Sequence, residues 1–150
     1  MCGELDDNVQ IGQDLLDKLK VMSGMLGLKE QGAAGQGPTG LETAEGRAAY
    51  METLFNAGLT RALADTNAAE PEEIVDAIAS QAIAFGRLAG FLAGQLPPEA
   101  DLFRTTMEAM MAGHAETAQL ARQYRHQQDH AHGHSHDHDH DHDHDHDHHH

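Results

Sequence analysis

The strongest constraint on folding in this sequence is its C-terminal segment, residues 126–150, which contains no Leu, Ile, Val, Phe, Met or Tyr. Thirteen of the fourteen histidines lie there, with seven Asp and no Lys or Arg. A segment without sizeable apolar side chains cannot offset the conformational entropy that folding removes. We therefore predict that 126–150 is disordered and that the core is built from residues 1–125, which is long enough for one domain.

Residues 1–125 have the composition and periodicity of helices, because Ala, Leu, Glu, Gln and Met are abundant and runs of β-branched residues are absent. We predict an all-α fold, a small helical bundle of about four helices with a disordered His/Asp-rich C-terminal tail. The predicted organisation is an N-terminal helix at 1–30, a flexible Gly-rich linker at 31–40, a helical domain at 41–125 and the tail at 126–150.

Local signals set the limits of the first two helices. The first is expected from Asp7 to Leu28, where a Gly-rich stretch begins. Thr39, followed three residues later by Glu42, fits a capping box and is expected to begin the second helix. The second helix should end near Asn67.

Prolines set the limits of the other two helices. Pro71, followed by acidic residues, suits the first turn of the third helix. Pro97 and Pro98 end that helix, and the fourth is expected from Glu99 to about Tyr124.

Glycines recur every four residues on the third helix, at Gly86, Gly90 and Gly94. Each costs about 1 kcal/mol relative to Ala inside a helix. Three on one face indicate that another backbone approaches closely there. The approaching backbone belongs either to this chain or to a second copy, so a homodimer through Gly86/Gly90/Gly94 is one of two interpretations.

The C-terminal tail has the chemistry of a multi-site metal ligand. Asp and His alternate strictly from Asp137 to His148, and imidazole is a preferred ligand of Zn, Ni and Cu. The interleaved carboxylates can orient ligating imidazoles or bind an ion themselves. A closed site takes four ligands, so thirteen histidines supply about three sites. The candidate metal ligands are His126, His130, His132, His134, His136, His138, His140, His142, His144, His146, His148, His149, His150 and Cys2.

The Asp-His alternation and the His-X-His steps resemble the tails of nickel chaperones that mature urease, hydrogenase and carbon monoxide dehydrogenase. They are also similar to the His-rich loops of zinc-handling GTPases and cation transporters. The resemblance covers 126–150, a sixth of the chain. It implies a metallochaperone or storage protein for Ni²⁺ or Zn²⁺, with a client metalloenzyme or its maturation machinery as partner. Several ions would bind transiently, and Cu²⁺ would bind in vitro.

Two further residues are candidate ligands. Cys2 would become N-terminal if Met1 were removed, and its amine and thiolate would then chelate a metal together. His114 lies on the expected stripe of the fourth helix, beside Met110 and near Glu116. A lone histidine and methionines at helical spacing are more often packing residues than ligands.

Charge and motifs exclude several other classes of protein. The net charge of −16 disfavours nucleic acid and anionic membranes as partners. The most apolar stretch, Ala82 to Leu96, contains Arg87 and is too short to span a bilayer. A lone cysteine and no apparent secretion signal favour a cytoplasmic protein. The glycines near Pro38 lack the phosphate-binding lysine of a P-loop. No His-Glu-x-x-His or Glu-x-x-His motif occurs, so we predict that the protein is not an enzyme.

Other hypotheses for the tail remain open. Protonation of all fourteen histidines would move the formal charge from −16 to −2, which suits a pH-responsive solubility tail. A purification tag is disfavoured, because only the last three histidines are consecutive. The main functional alternative is a helical protein-interaction or regulatory module whose tail senses metal or pH.

Overall fold

The structure is a computed structural model that describes residues 2–29 and 37–132, with side chains over 7–29 and 37–130. Within these ranges the predicted all-α fold is confirmed: four α-helices and two short 3₁₀ turns, without a strand. The helices are α1 (Cys2–Met25), α2 (Ala44–Ala68), α3 (Ile74–Ala93) and α4 (Leu102–His132), with 3₁₀ turns at Pro71–Glu73 and Pro98–Ala100.

Two compact units divide the chain, Met1–Thr106 and Met107–His150. Most of the predicted linker, 31–36, lies outside the described residues, and so does the part of the predicted disordered tail at 133–150.

The end of α1 is set by a glycine. Gly27 adopts a φ of +81°, a left-handed conformation that glycine takes without steric cost. The amide of Leu28 donates to the carbonyl of Ser23 at 3.1 Å, and that of Gly27 donates to Gly24 at 2.9 Å. These two bonds form a Schellman motif, which ends the helix at Met25, three residues before the predicted end.

The beginning of α2 differs from the prediction. The N-cap is Thr43, whose hydroxyl accepts a hydrogen bond from the amide of Gly46 at 3.0 Å and donates one to the carbonyl of Gly40 at 3.2 Å. The predicted capping box of Thr39 and Glu42 was therefore wrong. Gly40, at a φ of +74°, lets the chain turn back over the first turn of α2.

Helices α2 and α3 form a hairpin joined through the 3₁₀ turn Pro71–Glu73, as the proline predicted. Small half-buried residues, including Ala62 on α2 and Ala77 on α3, bring the helices together. The side-chain amide of Gln81 on α3 donates to the carbonyl of Ala62 at 3.2 Å and lies 3.5 Å from the hydroxyl of Thr66. A polar contact therefore fixes the register of an interface made mainly of small residues.

Large apolar side chains remain open to solvent in both units. Ala93, at 7% exposure, is the one buried residue of the described chain. The predicted apolar stripe of α3 is 39–55% exposed at its members Ile74, Ile78, Phe85, Leu88 and Leu92. The hairpin thus buries small residues and leaves much of its apolar surface available for binding.

The segment Pro71–Ala93 is long and apolar enough to cross a membrane, with a mean hydropathy of 1.3 over its best window. Length and composition alone carry this result, and a core helix of a soluble protein passes the same test. This segment begins eleven residues before Ala82, where the most apolar stretch of the sequence begins, because the test takes in the whole helix and not only its most apolar part.

Candidate functional site

Helix α4 carries the first histidines of the predicted metal ligand. It continues to His132, eight residues beyond Tyr124, where it was predicted to end. The predicted disorder was therefore wrong for 126–132. Adding residues to an existing helix avoids the cost of nucleation, and Gln127, Gln128 and Ala131 all favour helix. The side-chain amide of Gln128 also donates to the phenol oxygen of Tyr124, one turn earlier, at 2.7 Å.

The extension of α4 brings two predicted ligands together. His126 and His130 are four residues apart, so they lie on the same face of the helix. Their ring centres are 4.5 Å apart, and their ring planes are inclined by 40°. Both side chains are exposed, so an ion in solution can reach them. This spacing also joins the two histidines of helical zinc sites.

Charges near the pair have both signs. The exposed carboxylate of Asp129 directly precedes His130, the exposed guanidinium of Arg125 directly precedes His126, and that of Arg122 lies one turn before His126. The pair lies in the last two described turns of α4, Leu102–His132.

Most of the other predicted ligands lie beyond the described side chains. The backbone of His132 belongs to α4, but its side chain is outside the described residues, and the same holds for Cys2 in α1. The histidines from His134 to His150 lie outside the described residues altogether. Over the part of the chain that the structure describes, no three His, Cys, Asp or Glu residues cluster as a metal site. The observed site is therefore a pair of imidazoles rather than a complete coordination shell.

His114 belongs to α4 and is exposed, as are its candidate companions Met110 and Glu116. Met110 is 56% exposed and Met111 is 70% exposed. No cluster of three metal-ligating residues includes His114 among the described side chains. Met110 and Met111 add exposed apolar surface to α4.

A shallow apolar groove lies between α1 and α3 in the first unit. Leu19 and Leu26 line it from α1 and the turn after α1, and Ile83, Leu88 and Phe91 line it from α3. No groove was predicted from the sequence. Its signal was the helical spacing of apolar residues on both helices.

The glycine face of α3 is open at its centre. A Cβ atom added at Gly90 would meet nothing within 4 Å, and one added at Gly94 would meet only carbonyls of its own helix, at 3.4 and 3.6 Å. No other described segment of this chain therefore approaches Gly90. Among the described residues, the intrachain interpretation of the glycine repeat is therefore not supported at this position.

No family model, curated protein or solved structure matches this chain. The residues of the tail and of the described helices are therefore the basis for proposing a function.

Proposed function

We propose that this protein is a non-enzymatic metallochaperone or storage protein for Ni²⁺ or Zn²⁺ in the cytoplasm. The observation that carries the proposal is the concentration of thirteen histidines in residues 126–150, beginning with the pair His126 and His130 on one face of α4. Imidazoles at short, repeated spacing bind borderline divalent ions in many alternative arrangements. Such a ligand gives high capacity and rapid exchange, which suits buffering and delivery.

The character of the described surface supports a carrier over an enzyme. No polar or charged residue is buried in the described parts of the chain. Catalytic acids, bases and nucleophiles generally depend on a partly desolvated environment that tunes their reactivity. Open solvent around the ionisable groups favours exchange of ions over a chemical reaction.

The helical body provides the surface for a client in this proposal. The client is a metalloenzyme or its maturation machinery, and it would contact the apolar side chains that α3 and α4 leave exposed, such as Ile83 at 75% and Met111 at 70%. Exposed apolar area of this kind is typical of surfaces that bind other proteins. The acidic tail would meanwhile attract cations.

Metal titration of the full-length chain tests the proposal. The comparison protein has all thirteen tail histidines replaced by Asn, so that length, polarity and the aspartates are kept. Titration calorimetry with Ni²⁺ and with Zn²⁺ should give about three ions for the unaltered chain and a large loss for the variant. Equal stoichiometry for the two proteins would refute the proposal. Cu²⁺ should also bind in this experiment, and its binding would not show which metal is the physiological one.

The exposed apolar surface also favours a second function, a helical interaction or regulatory module whose tail senses metal or pH. The two hypotheses differ in the fate of the ion. In a transfer assay with a candidate client apoenzyme, a chaperone raises the rate of metallation above that of free ion at equal activity. A sensor changes its own association with the partner when metal binds and leaves the metallation rate unchanged.

We also propose that two copies associate through the α3 face centred on Gly90. The open space beside Gly90 supports this arrangement. Glycines spaced by four permit close approach of two helices, and Ile83, seven residues before Gly90 and therefore on the same face, is 75% exposed.

A further inference from the structure

We infer that His126 and His130 form a preorganised two-imidazole site that holds the first divalent transition-metal ion taken up by the chain. This inference rests on the proposed function and adds the order in which the ligands bind metal. The pair held by α4 binds an ion before the repetitive histidines that follow it. Composition alone does not rank any of the thirteen imidazoles above the rest.

The geometry of the pair fits shared coordination of one ion. Two imidazoles on one tetrahedral Zn²⁺, each with a Zn–N distance of about 2.0–2.1 Å, place their ring centres roughly 5.2 Å apart. The ring centres of His126 and His130 are 4.5 Å apart, which is close to that separation. Both side chains are exposed, so rotation of the rings can direct one nitrogen of each at a common ion without a change in the backbone of α4.

The helix preorganises this pair. A ligand whose backbone is not already held must lose backbone freedom when it closes around an ion, and that loss weakens binding. Between His126 and His130 the backbone is already helical. The hydrogen bond from Gln128 to Tyr124 joins this turn to the preceding turn of the helix.

The charges around the pair have both signs. Asp129, Arg122 and Arg125 all carry exposed side chains, so water and salt screen the negative and positive charges alike. The preference for this pair therefore comes from its geometry rather than from the local charge.

An ion on this pair keeps open coordination positions. A tetrahedral ion has two places left and an octahedral ion has four. Water can fill these positions first, and a histidine from the tail or a ligand from a client can then replace the water. The pair is thus suited to capturing an ion that is afterwards passed on.

The inference is tested on full-length proteins by titrating Ni²⁺, and separately Zn²⁺, against a competing chromophoric chelator. The test variant is His126→Gln/His130→Gln, because glutamine preserves the helix. The matched control is His138→Gln/His142→Gln, which removes two histidines at the same spacing from the Asp-His repeat. We expect the affinity of the tightest site to fall about tenfold in the test variant and to stay within about twofold in the control.

A register variant keeps the composition unchanged. Gln127→His/His130→Gln places the two histidines next to each other in sequence, where their side chains do not share a face of the helix, and should lose affinity as the test variant does. Circular dichroism should show the same helix content in all four proteins. Equal losses in test and control, or an unaffected register variant, would overturn the inference while leaving the proposed function standing. Absence of metal binding by the unaltered chain would overturn both.

Discussion

The side-chain amide of Gln81 on α3 donates a hydrogen bond to the backbone carbonyl of Ala62 on α2 at 3.2 Å. This contact links residues nineteen positions apart in an interface made mainly of small side chains. It ties the two helices of the hairpin in one register, and its contribution to stability can be measured.

Replacing Gln81 with Ala should lower the free energy of unfolding by about 1 kcal/mol relative to a matched Gln→Ala change, because a half-buried hydrogen bond is lost. The matched change is Gln119→Ala, at an exposed position of α4, which has the same effect on helix propensity. Urea denaturation followed by circular dichroism gives both values. Equal stability of the two variants would show that the contact does not hold the hairpin.

The N-cap of α2 gives a second prediction. Thr43→Ala should cost about 1 kcal/mol, because the amide of Gly46 loses its acceptor. Thr39→Ala should change the free energy of unfolding by less than about 0.5 kcal/mol, as an exposed residue outside the cap does. Thermal and urea unfolding compare the two variants. A larger loss of stability in Thr39→Ala than in Thr43→Ala would show that Thr39 caps α2, as the sequence suggested.

Two glycine-to-alanine changes on α2 should change the free energy of unfolding in opposite directions. A Cβ atom at Gly46 would lie 1.8 Å from the carbonyl oxygen of Gly40, so Gly46→Ala must displace backbone and should cost about 1–3 kcal/mol. At Gly58 nothing lies within 4 Å, and Gly58→Ala should stabilise α2 by about 0.5–1 kcal/mol. Melting temperatures that move in the same direction for both variants would contradict this packing.

Association through α3 predicts a specific sensitivity at Gly90. Gly90→Leu should abolish the dimer, because a large side chain separates the two helices at their closest approach. Gly113→Leu, at an open position of α4, should leave association unchanged. Sedimentation equilibrium measures the mass of each protein. A monomeric unaltered chain, or a dimeric Gly90→Leu protein, would exclude this interface.

Acidification should release the metal. Imidazole binds a metal ion in its neutral form, and an ordinary histidine has a pKa of about 6.5. Protons therefore displace the ion as the pH falls through this range, and affinity is regained above it. The number of Zn²⁺ or Ni²⁺ ions retained at pH 5.5 and pH 8 after dialysis checks this. Equal retention at the two values would show that imidazoles are not the ligands.

The sequence predicted the helices well where chemistry is local and less well where it depends on the path of the chain. Pro71 placed the beginning of the third helical segment, because proline acts through its own ring. The fourth helix begins at Leu102, three residues after the predicted Glu99, because Asp101 adopts a left-handed φ of 51° after the 3₁₀ turn Pro98–Ala100. The N-cap at Thr43 depends on the left-handed turn at Gly40, which no local pattern distinguished from the alternative at Thr39.

The sequence predicts metal ligation by the histidines of 126–150, and this stays a prediction. Composition separates 126–150 from the apolar body, yet composition ignores the helix that precedes it. Propagation of α4 carries His126 and His130 onto one face. Their four-residue spacing was visible in the sequence, and combining it with the good helix formers between them would have identified the pair. The apolar stripes were recognised, but their exposure in a single chain depends on tertiary packing that periodicity does not contain.

The unbroken course of α4 from Met107 to His132 would let a protein and a metal ion bind to this helix at the same time. At a rise of 1.5 Å per residue, His126 lies about 30 Å along the helix from the exposed apolar side chain of Met107. A protein bound to the methionines near Met107 and a metal ion bound to His126 and His130 would thus occupy separate stretches of one helix. Neither would have to dissociate before the other bound, so under the proposed function the metal-loaded protein could bind its client while the ion stays accessible.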